Sequence, residues 1–319
     1  MAAVDVVIVN YNMGELLQEC LDSVSRDRQD KEIIVVDNAS SDQSVEMVRK
    51  RFPAVKLIAS RENLGLAKGL NTAIRRGRGK YIQVMHPDVV IARDTLGQMV
   101  RFMESHPDAA AAGCRVRHPD GRAFPSAHRF PKPTAFILDV LPIPASLARR
   151  HGWHGLFMRN MDFSHEQEVD IIAAAFLMLR RSALKKAGLF DEAFTNWTGE
   201  WDLCYRLKQA GWKVMYSPDA EVVHYESYVP AGKMAFRKEI AYKFKKGYVV
   251  ADKVQRMLFL FYRKHLSRLD FEWFRLLSMG NLVMKSIIRS ATFFREDSRS
   301  RIVNYLKTIR VCLDERYHQ

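Results

Sequence analysis

Four short apolar runs alternate with helix-forming stretches over the first 90 residues, and this alternation constrains the fold more than any other feature. Val4-Asp5-Val6-Val7-Ile8-Val9 ends at Asn10-Tyr11-Asn12, and Ile33-Ile34-Val35-Val36 ends at Asp37. Val55-Lys56-Leu57-Ile58-Ala59 precedes Asn63-Leu64-Gly65, and Tyr81-Ile82-Gln83-Val84-Met85 ends at His86-Pro87-Asp88. Mostly β-branched runs of this kind suit strands buried on both faces of a parallel sheet. Between them, Leu16, Leu17, Cys20, Leu21 and Val24 recur at spacings of three and four, the period of a helix with one buried face. The order predicts an α/β fold with parallel pairing and right-handed crossovers. Ligands of such sheets sit beyond the carboxyl ends of the strands, where Asn12, Asp37 and Asp88 all fall.

The middle of the chain reads differently. Six of the eleven prolines lie between Pro119 and Pro144, which predicts irregular chain. Residues 169–179 predict strand, 182–188 a short helix stopped by Gly188, and 201–210 a helix ended by Gly211. Residues 213–216 and 221–224 predict two further short strands. After Tyr228 the pattern is wholly helical, with Phe236, Ile240 and Phe244 recurring every four residues and further apolar faces running to Ile309.

Charge separates the same two regions. Residues 228–319 hold nine Lys and eleven Arg against eight acidic residues, a net +12, and so carry nearly all of the chain's net +14. The remainder is close to neutral and holds no helix-turn-helix, RNA-recognition or zinc pattern, which argues against a nucleic-acid partner. Cys20, Cys114, Cys204 and Cys312 form no C-x-x-C pair, so neither a disulfide framework nor a structural zinc is expected and a reducing cytoplasm fits. No run approaches the roughly 18 apolar residues of a spanning helix, and no secretory leader is visible.

Turn chemistry argues against two nucleotide folds. No G-x-G-x-x-G follows the first strand and no G-x-x-x-x-G-K-[ST] occurs anywhere. Asp37 at the end of the second strand either accepts hydrogen bonds from a pyrimidine imide or ribose hydroxyl, or caps the following helix.

An ordered set of motifs then carries a resemblance. Val7-Ile8-Val9-Asn10-Tyr11-Asn12, Val36-Asp37-Asn38-Ala39-Ser40-Ser41-Asp42, Glu62-Asn63-Leu64-Gly65 and His86-Pro87-Asp88-Val89 come first. Ala175-Phe176-Leu177-Met178-Leu179-Arg180-Arg181, Gly188-Leu189-Phe190-Asp191-Glu192 and Gly199-Glu200-Trp201-Asp202-Leu203-Cys204-Tyr205-Arg206 follow. Over roughly residues 4–227 the chain resembles the family 2 glycosyltransferases, and within them the bacterial rhamnosyltransferase-like group. The resemblance implies a GT-A fold: a mostly parallel central sheet flanked by helices. It implies a catalytic domain over 1–227, with a nucleotide-sugar half at 1–115 and an acceptor half at 116–227, followed by a basic amphipathic helical region at 228–319. It also implies inverting transfer of a sugar from a nucleoside diphosphate donor, dTDP- or UDP-linked, to a hydroxyl of a glycan or polyprenyl-diphosphate-linked acceptor. L-Rhamnose is the sugar the subgroup favours, and hexosyl or N-acetylhexosaminyl transfer is the alternative.

By the same resemblance, Asn10, Tyr11 and Asn12 line the nucleoside pocket, Asp37 holds the base or ribose, and Asn63, Gly65 and Lys68 border the ribose and diphosphate. Asp88 matches the last acid of a D-x-D motif, which holds Mg²⁺ or Mn²⁺ against the diphosphate, and His86 replaces its first acid. His224, after the last strand, is either a further metal ligand or a structural histidine. Glu200 takes the place of the catalytic base, Asp202 is the alternative, and helix capping is the plain reading of both. His86 and Gly199, standing where the family has acids, leave a catalytically weak binding subunit in contention. Asp170 and Asp191 match family acids, and Ala174 stands where glycine is usual. Trp197 and Trp201 either stack on sugars or pack in the core, and Arg180 and Arg181 are either a solvated strand end or a diphosphate contact.

The basic tail interleaves apolar positions with Arg237, Lys238, Lys243, Lys245, Lys246, Lys253, Arg256, Arg263 and Lys264. Such helices lie on anionic membrane surfaces. A peripheral site on the inner face of the plasma membrane is one expectation; packing on the catalytic domain or in a homodimer is the other.

Overall fold

The computed structural model describes residues 3–132, 162–195, 198–225, 251–290 and 296–314, with a few isolated residues between 134 and 158. The tail residues Arg237, Lys238, Lys243, Lys245 and Lys246, and Trp197, lie outside the described residues. The chain divides into two compact units, Met1–Phe130 with Ile143–Glu226, and Pro131–Pro142 with Ser227–Gln319.

The first unit opens as the sequence predicts. β1 (Val4–Asn10), α1 (Gly14–Arg26), β2 (Lys31–Asp37), α2 (Ser44–Arg51), β3 (Lys56–Ala59), α3 (Gly65–Arg76) and β4 (Tyr81–Met85) alternate, and the strands pair parallel in the order β3-β2-β1-β4. Every residue of β1 and β4 is buried, so they are mostly apolar, and their polar members Asp5, Asn10 and Gln83 are each hydrogen-bonded.

Beyond β4 the structure adds elements that the apolar pattern does not announce: β5 (Val89–Ile91), α4 (Thr95–Ser105) and β6 (Ala109–Arg117). β6 begins with four alanines, poor strand formers by propensity, yet it sits between the later strands β11 and β12 in the sheet. Small residues there serve close approach. A Cβ on Gly113 would meet Ile172 Cγ2 at 2.3 Å.

Short strands follow: β7 (Ala123–Phe124), β8 (Ala127–His128), β9 (Gln167–Glu168) and β10 (Ile171–Ile172). The expected strand over 169–179 is therefore divided, β10 pairing with β8 in a separate ribbon and β11 (Phe176–Arg180) entering the main sheet antiparallel to β4 and β6. α5 (Arg181–Ala187) ends at Gly188, whose φ of +79° favours glycine. α6 (Gly199–Gln209) precedes β12 (Lys213–His224). The two short strands expected at 213–216 and 221–224 form this single strand, with its register broken between Ser217 and Glu221 so that Pro218 sits in the irregularity rather than in the ladder. The full order is β3-β2-β1-β4-β11-β6-β12-β5.

Arg180 and Arg181 are neither solvated nor directed at a ligand. Arg180 is buried and donates to the carbonyls of Ala109, Met103 and His106, tying β11 to α4 and β6. Arg181 pairs with buried Asp5 and donates to Gly79 and Ile74. Both sit at the sheet end opposite to His86, because β11 runs antiparallel to β4.

The described part of the second unit is three helices, α7 (Ala251–His265), α8 (Arg268–Ser290) and α9 (Glu296–Cys312). Tyr262 stacks on Phe274 at 4.2 Å between ring centroids, and Phe259 meets Phe271 edge-on at 5.2 Å. Arg275 donates to Cys312 O at 3.3 Å, so the start of α8 meets the end of α9. Among the described residues no helix is long and apolar enough to cross a membrane.

Candidate active site

The carboxyl ends of β1 and β2 are locked together by side chains. Asn10 Nδ2 donates to Asp37 Oδ1 at 2.8 Å, and Ser40 Oγ donates to the same oxygen at 2.6 Å. Ser40 N donates to Asp37 Oδ2 at 2.9 Å, and Asn12 N donates to Ser40 Oγ at 2.9 Å. Asn10 and Asp37 are buried, and Asn12 Oδ1 accepts from Ser41 N at 2.7 Å, so these polar groups shape the loops. Asp37 does not cap α2. Asp42 bonds to Ser44 N at 3.0 Å and to Gly14 N at 3.0 Å, joining the starts of α1 and α2. Tyr11 alone of the first triad projects outward, half exposed. Asn12 and Ala39 hold φ of +52° and +59°, a strained region for residues with a Cβ. Ser40 is the hub of this arrangement. Its sequence signal was only a turn serine, because its partners are brought to it by strand pairing.

The start of α3 is set by Asn63, whose Oδ1 accepts from Gly65 N at 2.9 Å. Gly65 has φ +76°, and a Cβ there would meet Thr195 O at 3.1 Å. Leu66 N donates to that carbonyl at 3.1 Å. One turn further, Asn71 clasps Phe190 from both sides, Nδ2 donating to its carbonyl at 2.8 Å and Oδ1 accepting from its N–H at 3.1 Å. α3 therefore carries the loop that leads into α6. Lys68 is exposed and lies 3.8 Å from Glu62.

At the end of β4, His86 N donates to Ala175 O at 3.1 Å, and Tyr225 N donates to Asp88 O at 2.9 Å. These two bonds hold the 86–88 turn between β11 and the end of β12. His224 Nε2 consequently lies 3.2 Å from Asp88 Oδ1. His86, Asp88 and His224 each present a ligand atom, all within 4.8 Å of one another. The His224 ring packs edge-on against His86 at 5.5 Å and Phe124 at 5.0 Å. Burial, reinforced by the neighbouring His224, lowers the His86 imidazole to about 4, so its nitrogen lone pair is free of a proton at neutral pH. His224 Nδ1 is buried and meets no hydrogen-bond partner among the described residues, a cost that a ligand would relieve. One carboxylate with two imidazoles fits a divalent ion such as Mn²⁺; a set this rich in nitrogen suits Mg²⁺ less well.

Glu200 and Asp202 share the first turn of α6 but not an environment. Asp202 is fully buried and ion-paired to Arg206 at 2.7 Å, and Arg206 also bonds the carbonyls of Ala187 and Leu189. Glu200 keeps partial solvent access while burial among protein atoms raises its carboxyl to about 7, against a hydrogen bond from the Trp201 side chain that works the other way. Thr198 just before it holds φ +63°. Trp201 is buried and faces His128 at 5.8 Å.

Glu200 and the His86 cluster are joined through residues 172–175. The Ile172 backbone hydrogen-bonds Cys204, one turn after Glu200 on α6, and Ala175 O binds His86 N. Three residues of chain reach at most about 11 Å, so the first half of α6 and the 86–88 turn are both anchored to this short segment. Asp170 instead accepts from Phe130 N at 3.1 Å, and Asp191 from Ala193 N at 2.9 Å; both fasten loops.

Comparison with known proteins bears on this arrangement. The profile of "Glycosyl transferase family 2" matches residues 5–188, more than half of the chain. An N-acetylglucosaminyl-diphospho-decaprenol L-rhamnosyltransferase of Mycobacterium tuberculosis is 28% identical over 255 residues, 75% of this chain and 82% of that one. Rhamnosyltransferase WbbL of Escherichia coli is 23% identical over 228 residues, 69% of this chain and 82% of the relative. Among solved structures, mannosyltransferase PcManGT from Pyrobaculum calidifontis, in complex with GDP-Man and Mn²⁺, aligns over 100% of this chain and 88% of its own, with TM-score 0.54 and 19% identity. GalNAc-T7 with UDP, GalNAc and Mn²⁺ covers 80% of this chain and 52% of its own, with TM-score 0.53 and 15% identity. These likenesses bear out the GT-A type of α/β fold expected from the sequence, with a helical region after the sheet. A match over residues 5–188 makes this protein a member of glycosyl transferase family 2, similar to its rhamnosyltransferases.

Proposed function

We propose that this glycosyltransferase moves L-rhamnose, by inversion, from a dTDP-linked donor to a hydroxyl of a polyprenyl-diphosphate-linked sugar. One observation supports the reaction: the helix that bears Glu200 and the turn that bears His86 and Asp88 are both anchored to residues 172–175. Asp88, His86 and His224 would hold a divalent ion, which neutralises the charge that builds on the departing nucleoside diphosphate. Tyr11 packs against the base, and the Asn10–Asp37–Ser40 lock keeps the nucleoside loop in shape. Asn63 and Gly65 start α3 at the diphosphate, where the positive end of the helix dipole favours an anion. Lys68 adds positive charge along that path. Glu200 takes the proton of the acceptor hydroxyl as it attacks the anomeric carbon from the face opposite the leaving group. A carboxyl near 7 is half ionised at neutral pH, the range in which a general base works best. A single displacement needs no second carboxylate as nucleophile, which leaves Asp202 free for its pairing with Arg206.

The rhamnose rests on the names of the Mycobacterium tuberculosis and Escherichia coli relatives, and the lipid-linked acceptor on that of the Mycobacterium tuberculosis relative. Such an acceptor sits at the inner face of the plasma membrane, where nucleotide sugars are supplied. The test is a thermal-shift and transfer assay with dTDP-rhamnose, UDP-hexoses, UDP-N-acetylhexosamines and GDP-sugars, each with Mn²⁺. Stabilisation and transfer with dTDP-rhamnose are expected. A response to a UDP-sugar alone overturns the donor assignment, and binding without turnover of any donor makes the chain a binding subunit.

A further inference from the structure

α8 is apolar on two opposite faces. Phe271, Phe274, Ser278 and Leu282 point inward and are buried among the helices of the second unit. On the opposite side, Leu269, Trp273, Leu276, Val283, Met284 and Ile287 are between 42% and 68% exposed. At 100° per residue these six fall in one stripe running the length of the helix, interrupted by Gly280 and by no charge. A stripe of this size on a soluble surface marks an interaction site.

Charge identifies its occupant. Exposed Arg268 stands at the start of α8, with exposed Arg263 and Lys264 at the end of α7 just before it. Exposed Lys307 and Arg310 lie on α9, whose own outer side shows Leu306 and Leu313. Residues 228–319 carry net +12, so a second copy would set two strongly cationic regions against each other, whereas an anionic bilayer neutralises them. No described helix can cross that bilayer, and the side of α8 opposite the stripe is buried among the helices of its unit. Both features belong to a helix lying in the headgroup plane.

We propose that the outer face of α8 docks flat on an anionic lipid bilayer, with Trp273 and Ile287 inserted below the headgroups and the exposed cations of Arg263, Lys264 and Arg268 at its start on lipid phosphates. The inference concerns the second unit and stands whichever donor the first unit takes.

The test is flotation of the full chain with vesicles of phosphatidylcholine alone and of phosphatidylcholine mixed with phosphatidylglycerol, without nucleotide sugar. Binding to the anionic vesicles, weakened by salt, is expected, with quenching of tryptophan fluorescence by brominated lipid that Trp273→Phe removes. Trp273→Glu combined with Ile287→Glu should lower the vesicle partition coefficient by about tenfold or more, as each lost aliphatic or aromatic insertion predicts. Circular dichroism and Mn²⁺ binding of the double variant, both expected unchanged, separate this loss from misfolding; the milder Leu276→Ser serves if the double variant unfolds. Wild-type protein that stays with the soluble fraction at low salt overturns the proposal. So does a dimer in light scattering that the double variant splits while vesicle binding is absent, since the stripe then belongs to a second copy.

Discussion

Asp88 Oδ1 lies 3.2 Å from His224 Nε2 because β12 returns antiparallel along β5, with His224 paired opposite Val89. A turn at the end of the fourth strand thus acquires its second nitrogen ligand from the last strand of the sheet. Replacing either residue should weaken divalent-ion binding by more than the roughly 10–100-fold that outer-shell substitutions cost. Mn²⁺ titration by calorimetry of Asp88→Asn and His224→Ala checks this, and unchanged affinity in both would remove the site.

Glu200→Gln should lower kcat by about 10²–10⁴ while leaving donor KM nearly unchanged, since the amide keeps the shape and loses the base. In the wild type, turnover should rise with pH through about 7 as the carboxylate forms, and the variant should lack that limb. Steady-state rates from pH 5 to 9, read at about unit steps, decide it.

The same group links stability to pH. Its folded value of about 7 exceeds the reference 4.5, so the native state binds the extra proton between these values. Stability from this group is full below about 4.5 and falls as pH rises to about 7. Glu200→Gln should flatten that decline in denaturant midpoints, and a parallel decline in the variant would contradict the burial account.

Asp202→Ala should cost about 3 kcal/mol of stability by leaving Arg206 unpaired among the carbonyls of Ala187 and Leu189. Equilibrium unfolding reads this directly. Retained stability with lost turnover would instead return Asp202 to the reaction.

Gly65→Ala and Asn71→Leu act on one joint from two sides. The first places a Cβ at φ +76°, 3.1 Å from Thr195 O, and the second strands the N–H and C=O of Phe190. Each should cost about 1–3 kcal/mol. Hydrogen exchange in residues 188–195 should rise in both, because α3 holds that loop.

Some of this was legible before any tertiary structure. β1, β2 and β4 could be read because strands buried in a parallel sheet are mostly apolar, and their ends located Asp37 and Asp88. β6 could not be read, because its opening run of four alanines lacks the β-branched residues that mark a strand and Gly113 is small where Ile172 approaches. β12 was split by Pro218, whose place in the irregularity exists only once β6 lies alongside. Arg180 and Arg181 looked like surface cations until the antiparallel entry of β11 brought backbone carbonyls and Asp5 around them.

The sequence by itself determined the alternating α/β order, the motifs at the strand ends, and the division between a near-neutral body and a basic helical tail. These are local or additive properties: periodicity, turn chemistry and charge. Only the tertiary structure decided which carboxylate of α6 is locked to an arginine and which keeps access to solvent, and which histidine meets Asp88. It also decided which face of α8 is left bare. Those depend on what strand pairing and helix packing bring within a few ångströms, and no spacing along the chain encodes that distance.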